Sequence, residues 1–439
     1  MLRRELAIAL RARVTWLSAA LAALLVGHGF VLAIDIFGSE SRSALASALL
    51  VRGMDPRAGI VAPTLGGVEL ATALLVPLVA CRVLAVEKER GGFRALALQT
   101  GSQTGVLMAA GLAAGFASLL FLVPPVVLFT LFRALGGHID ATEVAASLLG
   151  HALHLAMVVG FSVAAAAWTE TVALATTLAI VASLVSWAID ASGGFVALAW
   201  LGSVERWSVT PHLAPFDHGV LEIGSVLWLL AATGGALALA VVGVHFDWSE
   251  RRRVASAVGI AALTLTVLAA CDGVKVGVDA TEARRMSFPP AVVSALRALP
   301  SAPVLEVWLD REDSRRTQLE REVLSKLRLA RPDARLRMPL DAQEASHAAA
   351  ASDERYGVID VGVGNVQKET RASSAEEIVS LVFEAAGQPA PDWSGPEYPG
   401  YPFVLEGPRR TLALVLAYAL VPLVFAGADL WLSRSRRRL

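Results

Sequence analysis

Long apolar stretches alternate with short charged segments along most of the chain, and this pattern predicts membrane-spanning helices. A bilayer core of about 30 Å requires roughly 20 predominantly apolar residues in a helix. Eight runs have about that length: 14–36, 66–86, 105–132, 143–167, 171–190, 220–246, 254–271 and 410–432. The pattern therefore predicts a mainly α-helical polytopic membrane protein with about eight transmembrane helices.

Two apolar segments depart from a plain span. Pro124-Pro125 falls inside the third run, where a helix loses amide donors, so we expect a break or kink there. Residues 193–202 have about half the length of a span, so we expect an interfacial or re-entrant piece with Trp200 and Trp207 at headgroup level.

The overall composition agrees with a membrane protein. The chain has 439 residues, of which 55% are apolar and 18% charged, with a net charge of -1. Two cysteines are too few for a disulfide scaffold, and a pI of 6.7 provides no basic surface for nucleic acid.

Lysine and arginine are concentrated beside four ends of the predicted spans. They are Arg3, Arg4, Arg11, Arg13, Arg82, Lys88, Arg90, Arg94, Arg251, Arg252, Arg253, Arg434, Arg436, Arg437 and Arg438. With eight spans all four clusters fall on one face, and the positive-inside rule makes that face cytoplasmic, with both termini. Residues 1–13 are either an amphipathic helix lying on this face or a basic flank of the first span.

Between Asp272 and Pro408 the composition becomes that of a soluble domain. Both flanking spans have their outer ends here, so the pattern predicts an extracytoplasmic α/β domain between the last two spans. Its predicted elements are a helix over 290–299, a strand over 304–309, a helix over 314–330, strands over 335–338 and 356–363 (the second central), a helix opened by a Ser374–Glu377 capping box, and a Pro-rich linker over 388–408.

No motif in the chain indicates catalysis. A phosphate-binding loop, a zinc-protease motif and a serine-hydrolase motif are all missing from the sequence, so we expect no catalytic, cofactor or metal site. His151 and His154, three residues apart, either share a metal or bond neighbouring helices, and the second is favoured because no third ligand is placed. Glu69 and Glu222 lie near the ends of predicted spans and are expected to anchor at the interface.

A cysteine near the end of the seventh span allows an alternative in which the chain is cleaved there. Leu268-Ala269-Ala270-Cys271 follows a basic and then apolar segment, as in a bacterial lipoprotein cleavage box. A chance match of a small-residue helix end is the favoured interpretation, because short motifs have high false-positive rates.

The most informative segment follows the second span and runs EKERGGFRALALQTG from Glu87 to Gly101. Its pattern suits a small helix lying across the membrane face, able to insert into a groove of a cytoplasmic partner, although an ordinary charged loop has the same pattern. The segment resembles the signature of type-2 ABC-transporter permeases, in which a charged cluster precedes a leucine-rich coupling helix. Phe93 and Gly101 replace the usual threonine and proline of that signature. The matching residues, with two leucines of the predicted helix, are the candidate ATPase-coupling set: Glu87, Lys88, Glu89, Arg90, Gly92, Leu96 and Leu98.

This resemblance covers residues 1–250, and Asp55-Pro56, Pro63 and Pro77 also stand where such permeases carry an aspartate-proline pair and two prolines. The remainder resembles the auxiliary subunit of the gliding-motility-type ABC transporter, through Asp279-Ala280-Thr281-Glu282 followed by Ser287-Phe288-Pro289.

The expected organisation is a six-span permease domain (1–250), a seventh span (251–272), the outer domain with its linker (273–408), and an eighth span with a basic tail (409–439). The resemblance implies a permease subunit in the bacterial cytoplasmic (inner) membrane. It implies a separate ABC ATPase that hydrolyses ATP, a second permease copy and a possible cell-envelope partner of the outer domain. The alternatives are a non-transporting membrane scaffold whose outer domain binds cell-wall or envelope partners and, less favoured, a secondary transporter, since an inverted repeat is not evident.

Overall fold

The computed structural model describes residues 1–191, 204–310, 313–340 and 355–436, which form two compact units. The helical unit comprises Met1–Val274 and Pro399–Leu439, and the sheet unit comprises Lys275–Tyr398. The predicted interfacial piece over 193–202, including Trp200, lies outside the described residues.

Eight helices in the described part of the chain are long and apolar enough to cross a bilayer, as the sequence predicts. Spans 1 to 8 are Arg13–Ala44, Arg57–Glu89, Gln103–Ala134, Ala141–Trp168, Val172–Ile189, Ile223–Val244, Glu250–Asp272 and Gly407–Leu432. The chain is therefore a mostly helical, multi-pass membrane protein.

Three spans contain irregular turns. Span 3 passes through a 3₁₀ turn at Leu119–Leu122, directly before Pro124-Pro125, so the predicted interruption is confirmed. Wide π turns occur at Arg57–Val61 in span 2 and at Leu416–Leu420 in span 8. The span 8 helix continues to Arg436.

Shorter elements complete the helical unit. They are the helices Leu2–Arg11, Ala48–Arg52, Gly92–Thr100 and Thr210–Asp217, and the short strand β1 at Val220–Glu222. The N-terminus is thus helical, as one alternative predicts, and its location on a cytoplasmic membrane face stays a prediction. Ala9 is buried in the main core and Leu10 packs on it, so this helix lies against the bundle.

Small residues allow the first and last spans to pack closely. A Cβ on Gly27 would lie 2.7 Å from the backbone oxygen of Ala417, so only glycine permits this approach. The same two spans are joined by a paired contact of Arg410 with Asp35, at 3.0 Å to each carboxylate oxygen.

The sheet unit contains a mixed four-stranded sheet with the order β4-β3-β5-β6. Its strands are β3 Pro303–Val307, β4 Arg335–Arg337, β5 Ile359–Val363 and β6 Val366–Thr370, and β2 is Gly277–Asp279. β3 pairs with β4 in parallel and with β5 antiparallel, and β5 pairs antiparallel with β6. All five residues of β5 are buried, which confirms that it is central.

Helices cover the sheet at the predicted places. They are Pro290–Ala298, Ser314–Leu319 continuing through a π turn (Glu320–Leu324) into Ser325–Ala330, and Ala375–Ala385. The prediction of a capping box is wrong. The Ser374 side chain makes no capping hydrogen bond, and Glu377 instead accepts a hydrogen bond from the Thr370 hydroxyl at 2.7 Å. The helix still begins where predicted.

The two acidic residues that we expect to anchor at the membrane interface lie at different places in their helices. Span 2 begins at Arg57 rather than near residue 66, so Glu69 lies about three helical turns from the start of the helix, and its role as an interface anchor stays a prediction. Glu222 does precede span 6 directly and accepts a hydrogen bond from Ser225 at 2.8 Å.

Candidate functional site at the basic end of the helical unit

One end of the helical unit is rich in basic residues, and we call it the basic end. Spans 2, 4 and 6 finish there, at Glu89, Trp168 and Val244. The loops at this end are joined by contacts between different spans: Gln103 Nε2 donates to Asp247 Oδ1 at 3.0 Å, and Arg253 donates to the carbonyl of Gly243 at 2.9 Å. The helix ends therefore meet in one structured surface.

The predicted coupling segment, Glu87–Gly101, lies at this end as a distinct short helix. Gly92–Thr100 is helical, and it is flanked by Gly91 (φ 71°) and Gly101 (φ 69°) in left-handed conformations. A residue with a Cβ would be strained in either position, so the two glycines permit the sharp turns into and out of the helix.

The short helix has one buried and one exposed side. Phe93 and Ala97 are buried in the core of the helical unit, and Leu96 packs partly against it. Leu98 on the other side is 72% exposed. The Arg94 guanidinium lies 4.9 Å from the centre of the Phe246 ring, a cation–π contact to the loop after span 6. The helix is thus anchored to the bundle while it presents a large apolar side chain outward.

Lys88 is bonded inside the bundle. Its Nζ donates to the carbonyls of Ala166, Ala167 and Thr169 at 2.9, 2.7 and 2.7 Å. These carbonyls belong to the last turn of span 4 and the residue after it, where intrahelical donors run out and the helix dipole is negative. The ammonium therefore caps the C-terminus of span 4.

Glu89 makes the complementary contact on the next helix. Its Oε1 accepts a hydrogen bond from the backbone N–H of Val172 at 2.7 Å, and Val172 is the first residue of span 5. A carboxylate at this position satisfies an orphan amide and is favoured by the positive end of the helix dipole. Adjacent residues of span 2 therefore hold the end of span 4 and the start of span 5, and we call this pair the Lys88–Glu89 clamp.

Glu87 connects the segment to the N-terminal helix. Arg4 donates to Glu5 at 2.7 Å and approaches Glu87 Oε1 at 3.5 Å. Burial raises the pKa of Glu5, while Arg4 lowers it. A Cβ on Gly92 would collide with Glu87 Oε2, so the carboxylate lies directly over the start of the short helix.

The structure thus brings the seven predicted coupling residues together at one end, but with different environments. Lys88 and Glu89 bond internally, Arg90 and Leu98 are exposed, and Gly92 is a packing position. Sequence reasoning missed the loop of three residues between spans 4 and 5 (169–171) as the partner of the cluster. The shortness of that loop is a usable signal, because two helix termini with unsatisfied backbone groups must then lie side by side.

No metal centre is formed in the described part of the chain, where no three His, Cys, Asp or Glu side chains gather to hold an ion. His151 Nε2 lies 3.1 Å from Asp217 Oδ1 on the helix Thr210–Asp217, so this histidine bonds a neighbouring helix. Cys271 is a free, buried thiol within span 7, and the cleavage-box alternative stays a prediction.

Comparisons of the chain with protein-family models, with curated proteins and with solved structures found no match.

Proposed function

We propose that this chain is the membrane-spanning permease subunit of a bacterial ABC transporter, driven by a separate ATPase through the short helix Gly92–Thr100. The observation that carries the proposal is the design of that helix. Two left-handed glycines set it apart from spans 2 and 3, Phe93 and Ala97 anchor it in the core, and Leu98 is 72% exposed. A short helix with one apolar side chain presented outward suits insertion into a groove of a partner.

The clamp supports a mechanical role for the same segment. A push on the short helix acts through span 2 on Lys88 and Glu89, and through their hydrogen bonds on the ends of spans 4 and 5. A partner that binds two arrangements of these helices with a difference of a few kcal/mol shifts their populations.

The remaining parts of the proposal concern location and partners. We place the basic end in the cytoplasm of a bacterial cell, with both termini, and the sheet unit outside as an auxiliary domain of the gliding-motility type. A second permease copy and a cell-envelope partner of the sheet unit belong to the same proposal. Asn365, in the exposed loop between β5 and β6, is suited to test the topology. With Cys81 and Cys271 replaced, Asn365→Cys should react with a membrane-impermeant maleimide in intact cells, and Gln99→Cys only after lysis.

The coupling role is tested by asking whether an ABC ATPase from the host cell co-purifies with the chain in detergent, using Leu98→Asp. Leu49→Asp is the matched control, since Leu49 is 77% exposed and lies in the loop after span 1. Burying an aspartate in an apolar groove disfavours binding, so we expect Leu98→Asp to lose the ATPase and Leu49→Asp to retain it. Equal recovery of ATPase and equal ATP hydrolysis with both variants would refute the coupling assignment. Failure of the wild-type chain to retain any ATPase would instead favour the scaffold function.

A further inference from the structure

A cleft of about 220 Å³ lies within the helical unit, away from the basic end. Its walls come from spans 2, 4 and 5 and from the start of the helix Thr210–Asp217. Glu69 on span 2 and His154 on span 4 line it, and they are respectively 19 residues before Lys88 and 14 before Trp168. At 1.5 Å per residue the cleft lies roughly 20–28 Å from the basic end, within the thickness of a bilayer.

The rim of the cleft is apolar and open to the outside of the bundle. Leu70 and Trp187 line it and are 43% and 57% exposed. Exposed apolar side chains on membrane-spanning helices face lipid, and tryptophan is enriched near the headgroup region. A molecule with an alkyl chain can therefore enter from the bilayer.

The inner wall carries a polar group that the described residues do not satisfy. His154 is only 5% exposed, and its Nδ1 has no hydrogen-bond partner in the described part of the structure. Leaving a buried polar atom unpaired costs about 1–3 kcal/mol. His151, one turn away, differs because its Nε2 meets Asp217. The His154 ring lines the cleft and makes no hydrogen bond to a described residue, so it offers a partner to a polar group bound there.

The wall also carries hydrogen-bond acceptors. Glu69 contributes a carboxylate, and span 2 contributes a backbone carbonyl: Pro77 has no N–H to donate to the carbonyl of Ala73, which also lines the cleft. Ser186 Oγ already accepts from the N–H of Val209 at 2.9 Å and still has its own hydrogen to donate. The described residues that line the cleft include a carboxylate but neither lysine nor arginine. The chemistry therefore favours a ligand that donates hydrogen bonds and carries positive charge.

We propose that this cleft, lined by Glu69, Ala73 and His154 and open at Leu70 and Trp187, binds the ammonium head of an amphiphile that enters from the bilayer. The carboxylate pairs with the ammonium, the Ala73 carbonyl and a histidine nitrogen accept its hydrogens, and the alkyl chain leaves over the apolar rim. This site belongs to the chain itself, so binding is measured without the ATPase of the proposed function. Loss of ATPase coupling would leave the inference untouched.

The test uses the full chain in phosphatidylcholine nanodiscs and dodecylamine carrying a diazirine on its alkyl chain. After photolysis, labelled peptides are mapped by mass spectrometry, and saturable labelling is defined by competition with excess dodecylamine. We expect saturable labelling in spans 2, 4 and 5 around the cleft, and at least roughly tenfold weaker labelling with a dodecanoate probe of the same design. Nanodiscs that contain phosphatidylethanolamine show whether the ammonium head belongs to a membrane lipid or to a free amphiphile. If that lipid reduces the labelling, the natural ligand is a lipid amine, and if it does not, the ligand is a free amine.

Two variants and a matched control assign the contacts. Glu69→Gln and His154→Leu should each reduce saturable labelling, Glu69→Gln at least roughly tenfold because it removes a charged partner. Thr72→Val is the control: Thr72 lies on the same span, is fully buried, and also has an unpaired oxygen, yet it does not line the cleft. It should label like the wild type. The proposal is overturned if wild-type labelling does not saturate, maps outside these spans or is as strong with dodecanoate; these outcomes need no variant.

Discussion

Replacing Lys88 with methionine tests whether the clamp is a structural element. Methionine keeps the length of the side chain and its apolar stem but removes the three donors that satisfy Ala166, Ala167 and Thr169. The terminal carbonyls of span 4 then face the same site without a cation, and the helix dipole at that end is uncompensated.

The magnitude follows from the geometry. A hydrogen bond to a charged group contributes about 1.5–3 kcal/mol net, but the three bonds share one ammonium, whose desolvation offsets part of the gain. We therefore take the set together as roughly 3 kcal/mol. At about 2 °C per kcal/mol for a large domain, the unfolding temperature in detergent should fall by roughly 6 °C.

Arg90→Met is the matched control, because it removes the same charge two residues away from an exposed side chain. Its unfolding temperature should stay within about 1 °C of the wild type, as expected for an exposed charge. Hydrogen–deuterium exchange gives a local readout: protection of the first turn of span 5, which is held by Glu89 as the other half of the clamp, should fall in Lys88→Met and persist in Arg90→Met. If both variants unfold with the wild type and keep this protection, the clamp does not stabilise the bundle.

Three further predictions concern other parts of the chain. Gly91→Ala places a Cβ at φ 71° and should destabilise the chain by about 1 kcal/mol, which is measured as a lower unfolding temperature. Ala95→Gly within the short helix should cost no more than about 1 kcal/mol, because it lowers only the helix propensity and leaves the turn at Gly91 intact. Gly27→Val should separate spans 1 and 8 and lower the unfolding temperature, while Gly427→Val, with open space around it, should not; equal effects would contradict the close packing. In the sheet unit, the hydrogen bond from Arg315 holds the pKa of Asp313 well below its usual range. The ionised Asp313 therefore stabilises the fold above the unfolded pKa of about 3.9, and this stabilisation is lost as the pH falls from there towards the folded pKa. The difference in unfolding midpoint between the wild type and Asp313→Asn should therefore shrink between pH 6 and pH 3, and a constant difference would refute the linkage.

The spans were predictable because their number depends only on apolar length, which the sequence displays directly. The positions at which the spans begin and end were not predictable. Span 2 extends to Arg57 and span 1 to Ala44, beyond the apolar runs, because helices continue past the hydrocarbon wherever packing supports them. The cleft lined by Glu69 could not be recognised from the sequence, because its walls come from spans 2, 4 and 5, whose lining residues are far apart along the chain.

In the sheet unit β3, β4 and β5 were predicted, whereas the short strand β2 and the exposed strand β6 were missed. β6, Val366–Thr370, lacks the alternation of apolar and polar residues that marks a strand, because it is an edge strand with largely exposed side chains. Gly364-Asn365 before it is a usable hairpin signal, and Gly364 does adopt φ 62°. The partners of Lys88 were beyond sequence reasoning for another reason: they are backbone carbonyls 78 to 81 residues away, and a carbonyl has no residue type to recognise.

The clamp and the cleft involve the same three helices, and this limits how the helical unit can move. Spans 2, 4 and 5 are joined at the basic end by Lys88 and Glu89, and they separate farther along to form the cleft at Glu69 and His154. A displacement of the short helix that tilts span 2 must carry the ends of spans 4 and 5 with it or break four hydrogen bonds. If the bonds hold, the three helices pivot about the basic end, and a small angle there produces its largest change roughly 20–28 Å away, at the cleft. Cross-linking Lys88→Cys to Thr169→Cys should therefore preserve amine labelling of the cleft, whereas a mechanism in which spans 2 and 4 slide apart at the basic end requires the cross-link to abolish it.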